Sequence, residues 1–208
     1  MPAPRSRPGK IVCVGRNYRE HAKELGNEVP KEPLIFLKPP SSIIREGEAI
    51  VLPAASKQVE YEGEIGVVVG RTLTRASEAD AGKAIKSIVA VNDVTARDLQ
   101  KTDSQWTRAK GFDTFLPLGE ESSKLPDLDS LTVVTRVNGV ERQRGKSSEM
   151  VFSIPSLLAY ISHIMTLEPG DVVATGTPSG VGPLVPGDVV EIEIAGISRV
   201  TNPVQESR

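Results

Sequence analysis

The sequence predicts a mostly β fold with short helices, in the α+β class, on two observations. Turn-forming residues are frequent, with 18 glycines and 16 prolines among 208 residues, so the chain must divide into many short segments. Aromatic residues make up only 4% of the chain, so the core must be built mainly from aliphatic side chains such as Val and Ile, which favour strands. A chain of this length can enclose one complete hydrophobic core, and we expect a single domain.

The N-terminal part is predicted to contain short strands between proline-rich connections. A short helix should run from His21 to Leu25, because Asn17 can cap its start and Gly26 can end it. Four prolines at positions 30 to 40 exclude a long helix there. Strands are expected at residues 11–14 and 34–37, and a hairpin-like region is expected near residues 50–52.

The middle of the chain is predicted to alternate strands with short helices and loops. The second half of the run at residues 59–69 is apolar and β-branched, which is typical of a buried strand. The other expected elements are a polar helix near residues 77–86, a strand at 88–91, a short helix at 95–101 and a loop at 110–113.

The C-terminal half contains the clearest local signals. Asn138-Gly139 favours a two-residue hairpin turn between strands at residues 131–137 and from 140 onward. An amphipathic helix should begin after Ser153, with a proline in its first turn, and extend to residue 165. The segment Pro-Gly-Asp-Val-Val occurs twice, at 169–173 and 186–190, and each copy predicts a tight turn that leads into a strand.

Charge and cysteine content exclude several classes of protein. The formal net charge is −2 with both signs interspersed, and no run of about 18 apolar residues occurs, so neither nucleic-acid binding nor a membrane span is expected. A single cysteine, Cys13, excludes an intrachain disulfide framework and a cysteine-based zinc site. Residues 1–10 lack the apolar segment of a secretory signal. We therefore expect a disordered or extended lead-in at 1–10, a single domain at 11–208 and a cytoplasmic location.

Three carboxylates form a candidate metal site. Glu62 and Glu64 lie two residues apart at the start of the buried strand, so both should point to one face, where their like charges need compensation. Asp93 follows the strand at 88–91 and could complete a set of oxygen ligands for Mg²⁺ or Mn²⁺, with Ca²⁺ as a substitute. The residues alone leave two alternatives open, namely solvated acids at an exposed strand end and Asp93 as a helix cap.

Further polar residues are candidates for catalysis or substrate binding. His21 and Glu24 should share a helix face, where the carboxylate would make the imidazole a better general base; a solvated polar face is the alternative. Lys110, next to Gly111, could balance an anionic substrate or could be an ordinary loop charge. The segment Gly176–Gly182 does not match a known phosphate-binding loop, but it could form an anion-binding nest or a wide turn.

In order along the chain, from about Ile11 to the C-terminus, these segments resemble the motifs of the fumarylacetoacetate hydrolase superfamily. The matching segments are Gly15-Arg16-Asn17-Tyr18 with His21 and Glu24, Phe36-Leu37-Lys38-Pro39, Glu62-Gly63-Glu64, Asn92 to Gln100, Lys110 to Thr114, Asn138-Gly139 and Gly176 to Gly182. The resemblance implies a β-roll like the C-terminal domain of that family, usually a homodimer, with one bound Mg²⁺ or Mn²⁺.

The resemblance also implies roles for individual residues. It makes Glu62, Glu64 and Asp93 the metal ligands, and it places the general-base dyad of His21 and Glu24 on a mobile lid at residues 16–30 that orders when substrate binds. Lys110 would polarise the substrate, and Arg16, Gln100 and Thr177 would contact its carboxylate or enol oxygens.

The chain is most similar to the single-domain branch that includes acylpyruvases and oxaloacetate decarboxylases. This similarity implies a metal-dependent hydrolase that cleaves the C–C bond of acylpyruvates (2,4-dioxo acids) through a pyruvate enolate, with oxaloacetate decarboxylation as a related activity. The alternatives are an isomerase of 2-hydroxyhepta-2,4-diene-1,7-dioate-type substrates in aromatic catabolism and a non-catalytic, metal-stabilised β module. Tyr61 stands where some acylpyruvases have histidine, so the choice among small dicarboxylates and 2,4-dioxo acids stays open.

Overall fold

The structure, a computed structural model, describes residues 7–24, 26, 28–122 and 125–207. Strands dominate these residues and the helices are short, as the sequence predicts. The strands are β1 (Ile11–Gly15), β2 (Leu34–Lys38), β3 (Ile43–Ile44), β4 (Ile50–Leu52), β5 (Val59–Tyr61), β6 (Gly63–Val69), β7 (Ile85–Asn92), β8 (Thr95–Ala96), β9 (Leu116–Pro117), β10 (Thr132–Val137), β11 (Val140–Lys146), β12 (Val172–Ala174), β13 (Gly182–Pro183), β14 (Val189–Ile194) and β15 (Ser198–Glu206). The helices are α1 (Arg19–Glu24), α2 (Glu78–Gly82), α3 (Arg97–Thr102), α4 (Thr107–Lys110) and α5 (Ile154–Ile164).

The first sheet has the strand order β2-β1-β12-β6-β7 and joins distant parts of the chain. Its β1 and β12 are parallel, with Cys13 opposite Ala174, and the remaining neighbours are antiparallel. This pairing places the segment after β1, which carries His21, beside the glycine-containing segment after β12. Two regions that are far apart in sequence therefore meet at one edge of the molecule.

The second sheet has the strand order β11-β10-β14-β15-β4. Its first hairpin is the one that Asn138-Gly139 predicts, and both turn residues have positive φ values, 53° and 77°. The expected hairpin near residues 50–52 is wrong, because β4 instead lies parallel to the C-terminal strand β15, with Ile50 opposite Val204. That contact is non-local, so turn residues near β4 could not reveal it.

The buried strand predicted at residues 59–69 is divided at Glu62 into β5 and β6. The chain is tightly packed at this division, because a Cβ atom on Gly63 would lie 2.0 Å from the Thr135 side-chain oxygen. Strand β5 belongs to a small sheet with the order β13-β5-β8, whereas β6 belongs to the first sheet. Glu62 therefore lies where two sheets diverge, and the second half of the run is fully buried, as expected.

The hydrophobic core lies on both faces of the first sheet. Alternate residues of β1 point to opposite sides, so Val12 and Val14 join the larger cluster while Ile11 and Cys13 join a smaller one. The predicted burial of Cys13 is confirmed, since its residue is 0% exposed. Burial raises the pKa of the Cys13 thiol well above its ordinary value, and the nearby Asp93 raises it further.

Several local predictions need correction. Asn17 does not cap a helix, because its side chain accepts a hydrogen bond from Phe152 N (2.8 Å) and donates one to Thr175 O (2.8 Å). The polar helix α2 ends at Gly82, since the chain enters β7 three residues later. Lys110 ends helix α4 rather than lying in a loop.

The predicted lid at residues 16–30 and the predicted lead-in at residues 1–10 are only partly described. Leu25 and Asn27 of the proposed lid, and residues 1–6 of the lead-in, lie outside the described residues. Lys10 is fixed to the body of the domain, because its backbone N–H and its ammonium both donate to Asp171. Within the described part of the chain, no helix has the length and apolar character needed to span a membrane.

Candidate active site

Three buried acids converge at the edge of the first sheet. Glu62, Glu64 and Asp93 are 5%, 1% and 1% exposed, and one oxygen atom from each lies within 4.8 Å of the others. The pairing of β6 with β7 brings them together, since Asp93 N donates to Glu62 O (2.8 Å) and Glu62 N donates to Asn92 Oδ1 (3.0 Å). This geometry fits a metal ion with oxygen ligands.

Two buried lysines compensate the charges of Glu62 and Asp93. The Lys110 ammonium donates to Glu62 Oε2 (2.9 Å) and to Asp93 Oδ2 (2.7 Å). Lys38 donates to the other oxygen of Asp93 (2.6 Å) and to Val94 O (3.0 Å). Lys38 is absent from the site residues predicted from the sequence, because a lysine that ends a hydrophobic strand is expected to reach solvent.

Arg97 is a second functional candidate that is absent from the residues predicted from the sequence. Its guanidinium donates to Glu60 Oε2 (2.7 Å), to Glu62 Oε1 (2.6 Å) and to Gln100 Oε1 (2.5 Å). One side chain therefore links a candidate metal ligand to a candidate substrate contact. Glu60 and Glu62 lie two residues apart, so a strand places both acids on one face, and this spacing indicates a nearby buried cation.

The acids differ in their protonation behaviour. Burial opposes ionisation of Glu62, but Lys110 and Arg97 overcome that effect and hold its pKa well below the ordinary value. Burial raises the pKa of Glu64, and the negative charges of Asp93 and Glu62 raise it further. Among the described residues, Glu60, Glu62 and Asp93 each form ion pairs with a buried lysine or arginine. Glu64 instead accepts a hydrogen bond from Gly176 N (2.7 Å). A divalent cation would supply the positive charge that Glu64 lacks, so the residues present fit a metal.

His21 and Glu24 form the pair that their spacing predicts. His21 Nδ1 lies 3.2 Å from Glu24 Oε2, and the imidazole is almost completely buried. Glu24 also accepts a hydrogen bond from the backbone N–H of Gly180, 2.9 Å from its Oε1. Because an ionised carboxylate can only accept, Nδ1 must carry the proton in this contact, which leaves Nε2 as the basic nitrogen.

The three acids, His21 and Lys110 line one pocket of about 310 Å³. It is lined by all of the predicted site residues except Glu24, which lies behind His21. Arg16, at the pocket wall, has a φ of 59°, a conformation that is uncommon for a residue with a side chain. Phe36 and Trp106 add an apolar wall, with their rings packed edge to face at 5.3 Å.

Thr177 contributes to the pocket mainly by holding the segment after β12 in place. Its hydroxyl donates to Gly63 O (2.9 Å) and accepts from Gln143 Nε2 (2.8 Å). A hydroxyl has one proton, and Gly63 already receives it, so the side chain retains only an acceptor for a ligand.

The sequence matches the family described as fumarylacetoacetate (FAA) hydrolase C-terminal over residues 10–205. The chain belongs to this family. The predicted fold class is confirmed as well, since a solved structure from Mycobacterium smegmatis, described as 5-carboxymethyl-2-hydroxymuconate delta-isomerase, superposes with a TM-score of 0.90. That structure is 44% identical, and the match covers 97% of this chain and 80% of the other.

Two eukaryotic relatives carry names that refer to oxaloacetate. A mitochondrial oxaloacetate tautomerase of Arabidopsis thaliana is 46% identical, over 92% of this chain and 88% of the relative. A mitochondrial oxaloacetate decarboxylase of Dictyostelium discoideum is 43% identical, over 90% and 89% respectively. The chain is thus similar to proteins named oxaloacetate tautomerase and oxaloacetate decarboxylase and to a structure described as 5-carboxymethyl-2-hydroxymuconate delta-isomerase.

Proposed function

We propose that this member of the fumarylacetoacetate hydrolase family is a divalent-metal-dependent hydrolase of small acylpyruvates. It would break the C3–C4 bond of a 2,4-dioxo acid and release pyruvate through its enolate. The observation that supports this most is the convergence of three buried carboxylates, a buried lysine and a His–Glu pair on one pocket. A structural metal site in a non-catalytic module would have no need of the base or of the pocket.

Glu62, Glu64 and Asp93 would hold Mg²⁺ or Mn²⁺. When bound, the ion supplies positive charge that stabilises negative charge on the oxygens of a 2-oxo acid. Lys110 lies against two of the same carboxylates, so its ammonium adds positive charge on the same side of the pocket. Two cationic groups are useful here because the enolate intermediate carries a negative charge that nearby positive charge stabilises.

His21 would act as the general base for hydrolysis. Its Nε2 removes a proton from water, and the hydroxide adds to the C4 carbonyl carbon of the substrate. The C3–C4 bond then breaks, the acyl part leaves as a carboxylic acid, and the electron pair moves onto C3 of the pyruvate enolate. His21 returns its proton to C3, which regenerates the neutral imidazole.

Three residues would orient the substrate. Arg16 is the charged member and could pair with the C1 carboxylate. Arg97 already donates a hydrogen bond to the side-chain carbonyl oxygen of Gln100, so Gln100 would offer its amide N–H groups to the substrate as donors. Thr177 would contribute an acceptor to an enol or hydrated group.

Oxaloacetate is a second candidate substrate, and the names of the Arabidopsis and Dictyostelium relatives favour it. Loss of CO₂ from oxaloacetate gives the same enolate without an attacking water. Conversion of its keto form to its enol form needs removal of a proton from C3 and addition of a proton to the C2 oxygen, and His21 is a suitable base for the first of these transfers. The Mycobacterium smegmatis isomerase supports a third possibility, proton transfer in an unsaturated 2-hydroxy acid.

A substrate panel tests the proposal. The protein is freed of divalent ions, supplied with Mg²⁺ or Mn²⁺, and assayed with acetylpyruvate, oxaloacetate and a 2-hydroxydienedioate for pyruvate release, enol absorbance and ketonisation. We expect metal-dependent pyruvate release from acetylpyruvate. Glu64→Gln should abolish it, whereas Glu121→Gln, which changes an exposed carboxylate paired with Lys86, should retain it. Ketonisation without pyruvate release would contradict hydrolysis and favour the isomerase.

The role of His21 is tested by comparing two reactions in one variant. His21→Ala should slow acylpyruvate hydrolysis roughly 10²–10⁴-fold, the usual contribution of a general base. Oxaloacetate decarboxylation, which needs no activated water, should be much less affected. Equal losses in both reactions would contradict water activation by His21.

Family membership also supports a homodimer, which a solution mass measurement tests directly.

A further inference from the structure

Tyr61 has no part in the mechanism above, yet it contacts the backbone that holds the His–Glu pair. Its hydroxyl donates to Gly180 O (3.0 Å), and Gly180 N donates to Glu24 Oε1 (2.9 Å). Glu24 in turn accepts from His21. A continuous series of hydrogen bonds therefore runs from β5 through one glycine to the base that faces the pocket.

Gly180 is held in a conformation that other residues rarely adopt. Its φ is 98°, and a Cβ atom would lie 2.2 Å from Arg142 O on β11. The preceding part of the turn is also bound to β11, since Gln143 Nε2 donates to Pro178 O (2.8 Å). Because glycine has the widest choice of backbone angles, its hydrogen bonds decide where its N–H points.

Tyr61 restrains the other side of this turn. It is 4% exposed and lies opposite Gly182 in the pairing of β5 with β13. A Cβ atom on Gly182 would lie 2.9 Å from the Tyr61 hydroxyl oxygen, so the ring fits closely against this glycine. The tyrosine hydroxyl is therefore the group that fixes the Gly180 carbonyl.

Helix α1 depends on such contacts for its position. It has only six residues, far fewer than the roughly 12–15 that an isolated helix needs for marginal stability. His21 and Ala22 are buried, but the side chain of Glu24 is 33% exposed, and its bond to Gly180 N ties this outer end of the helix to the segment after β12. Loss of that bond would release Glu24 from the body of the domain while leaving Ala22 buried.

We propose that Tyr61 is a positioning residue that, through the Gly180 amide, docks Glu24 and thereby orients His21. The hydroxyl fixes Gly180, the Gly180 N–H fixes the Glu24 carboxylate, and the carboxylate fixes the imidazole with Nε2 toward the pocket. The kinetic consequence rests on the proposed function, but the docking of α1 does not.

Tyr61→Phe tests the docking without an activity assay. Hydrogen exchange of the backbone amides of residues 19–24 should accelerate about two- to tenfold, the range that loss of one neutral hydrogen bond produces. Exchange in β6 and β7 should not change. Tyr160→Phe, which removes the hydroxyl of a half-buried tyrosine on α5, is the matched control and should leave residues 19–24 unaffected. Unchanged exchange in Tyr61→Phe, or equal acceleration throughout the protein, would overturn the proposal.

A double-mutant cycle separates positioning from simple packing. Glu24→Ala removes the docked carboxylate, so Tyr61→Phe should add little further acceleration of exchange in that background. Additive effects of the two changes would show that Tyr61 acts independently of Glu24 and would overturn the proposal.

Kinetics give a second readout that distinguishes the two proposals. In Tyr61→Phe, kcat for acylpyruvate hydrolysis should fall about two- to tenfold with little change in KM, because the base is misplaced while the substrate contacts remain. A rise in KM at unchanged kcat would overturn the positioning role. If the wild-type protein showed no hydrolysis, the proposed function would fail, and the exchange experiment would still decide whether Tyr61 docks the helix.

Discussion

Arg97 shows how one residue can serve several charged groups at once. Its three donor groups contact Glu60, Glu62 and Gln100, and it is almost completely buried together with both acids. Buried ion pairs add little net stability when they form, but removing one partner leaves the other charge unpaired. We therefore expect Arg97 to be necessary for the fold of the site as well as for its chemistry.

Replacement of Arg97 tests this expectation. Arg97→Met keeps an unbranched apolar stem but removes the guanidinium and leaves Glu60 without its ion-pair partner, so the free energy of unfolding should fall by roughly 3–5 kcal/mol in urea titrations. Arg136→Met is the control, because Arg136 pairs with acids at the surface, where solvent screens the charges, and its loss should matter far less. Equal stability of the two variants would contradict the account of the buried network.

The residues of the site differ in how far the sequence reveals them. The spacing of Glu62 and Glu64 is local, so a strand assignment was enough to place both on one face. Lys38 binds Asp93 across 55 positions of sequence, and that contact exists only because β2 joins the sheet beside β1. No local pattern carries such information, and a lysine that ends a strand ordinarily extends into solvent.

Among the elements, the junction of β5 and β6 does the most to build the site. It turns the chain from one sheet into another within a single residue, and it places Glu62 and Glu64 on either side of Gly63. The close approach of Thr135 leaves no room for a side chain at Gly63. The glycine is thus required by packing and not by an unusual backbone angle.

Gly63→Ala should disturb both packing and metal binding. Insertion of one methyl group against Thr135 should lower the free energy of unfolding by about 1–3 kcal/mol, the usual effect of overpacking a core. Displacement of the flanking acids should also weaken Mn²⁺ binding, measured by calorimetry. Gly82→Ala is the control, since its added methyl would meet only ordinary contacts with Pro155 at 3.7 Å. Similar stability for both variants would show that the junction tolerates a side chain.

Elements with local signals were predicted well, and elements defined by distant pairing were not. The turn at Asn138-Gly139 and the start of α5 at Ser153 depend on residues within a few positions, and both are confirmed. The pairing of β4 with β15 was mistaken for a hairpin, because its partner strand lies at the other end of the chain. Asn17 was mistaken for a cap for the same reason, since its partners are Phe152 and Thr175.

At the scale of the whole molecule, the candidate metal site lies between parts that must fold together. Glu62 and Glu64 flank the junction of two sheets, Asp93 follows β7, and Gly176 from the C-terminal half binds Glu64. An unfolded chain could not hold these groups within one coordination sphere. A metal that binds only the folded protein must shift the unfolding equilibrium by mass action.

We therefore expect Mg²⁺ or Mn²⁺ to raise the thermal stability of the protein. At a free metal concentration about 100 times the dissociation constant, the stabilisation should be about 2.7 kcal/mol. For a domain of this size, each kcal/mol corresponds to about 2–4 °C, so Tm should rise by roughly 5–10 °C relative to protein treated with a chelator. Scanning calorimetry across a series of metal concentrations measures the shift.

The Glu64→Gln variant identifies the site responsible for that shift. Of the three acids, Glu64 is the one that forms no ion pair with any of the described residues. Burial beside Asp93 and Glu62 raises its pKa. Its replacement by a neutral isostere should therefore preserve or slightly raise the Tm of metal-free protein while eliminating the increase on adding metal. A metal-dependent increase that persists in Glu64→Gln would place the ion elsewhere on the protein, because a buried site that loses one of three carboxylates cannot retain its affinity.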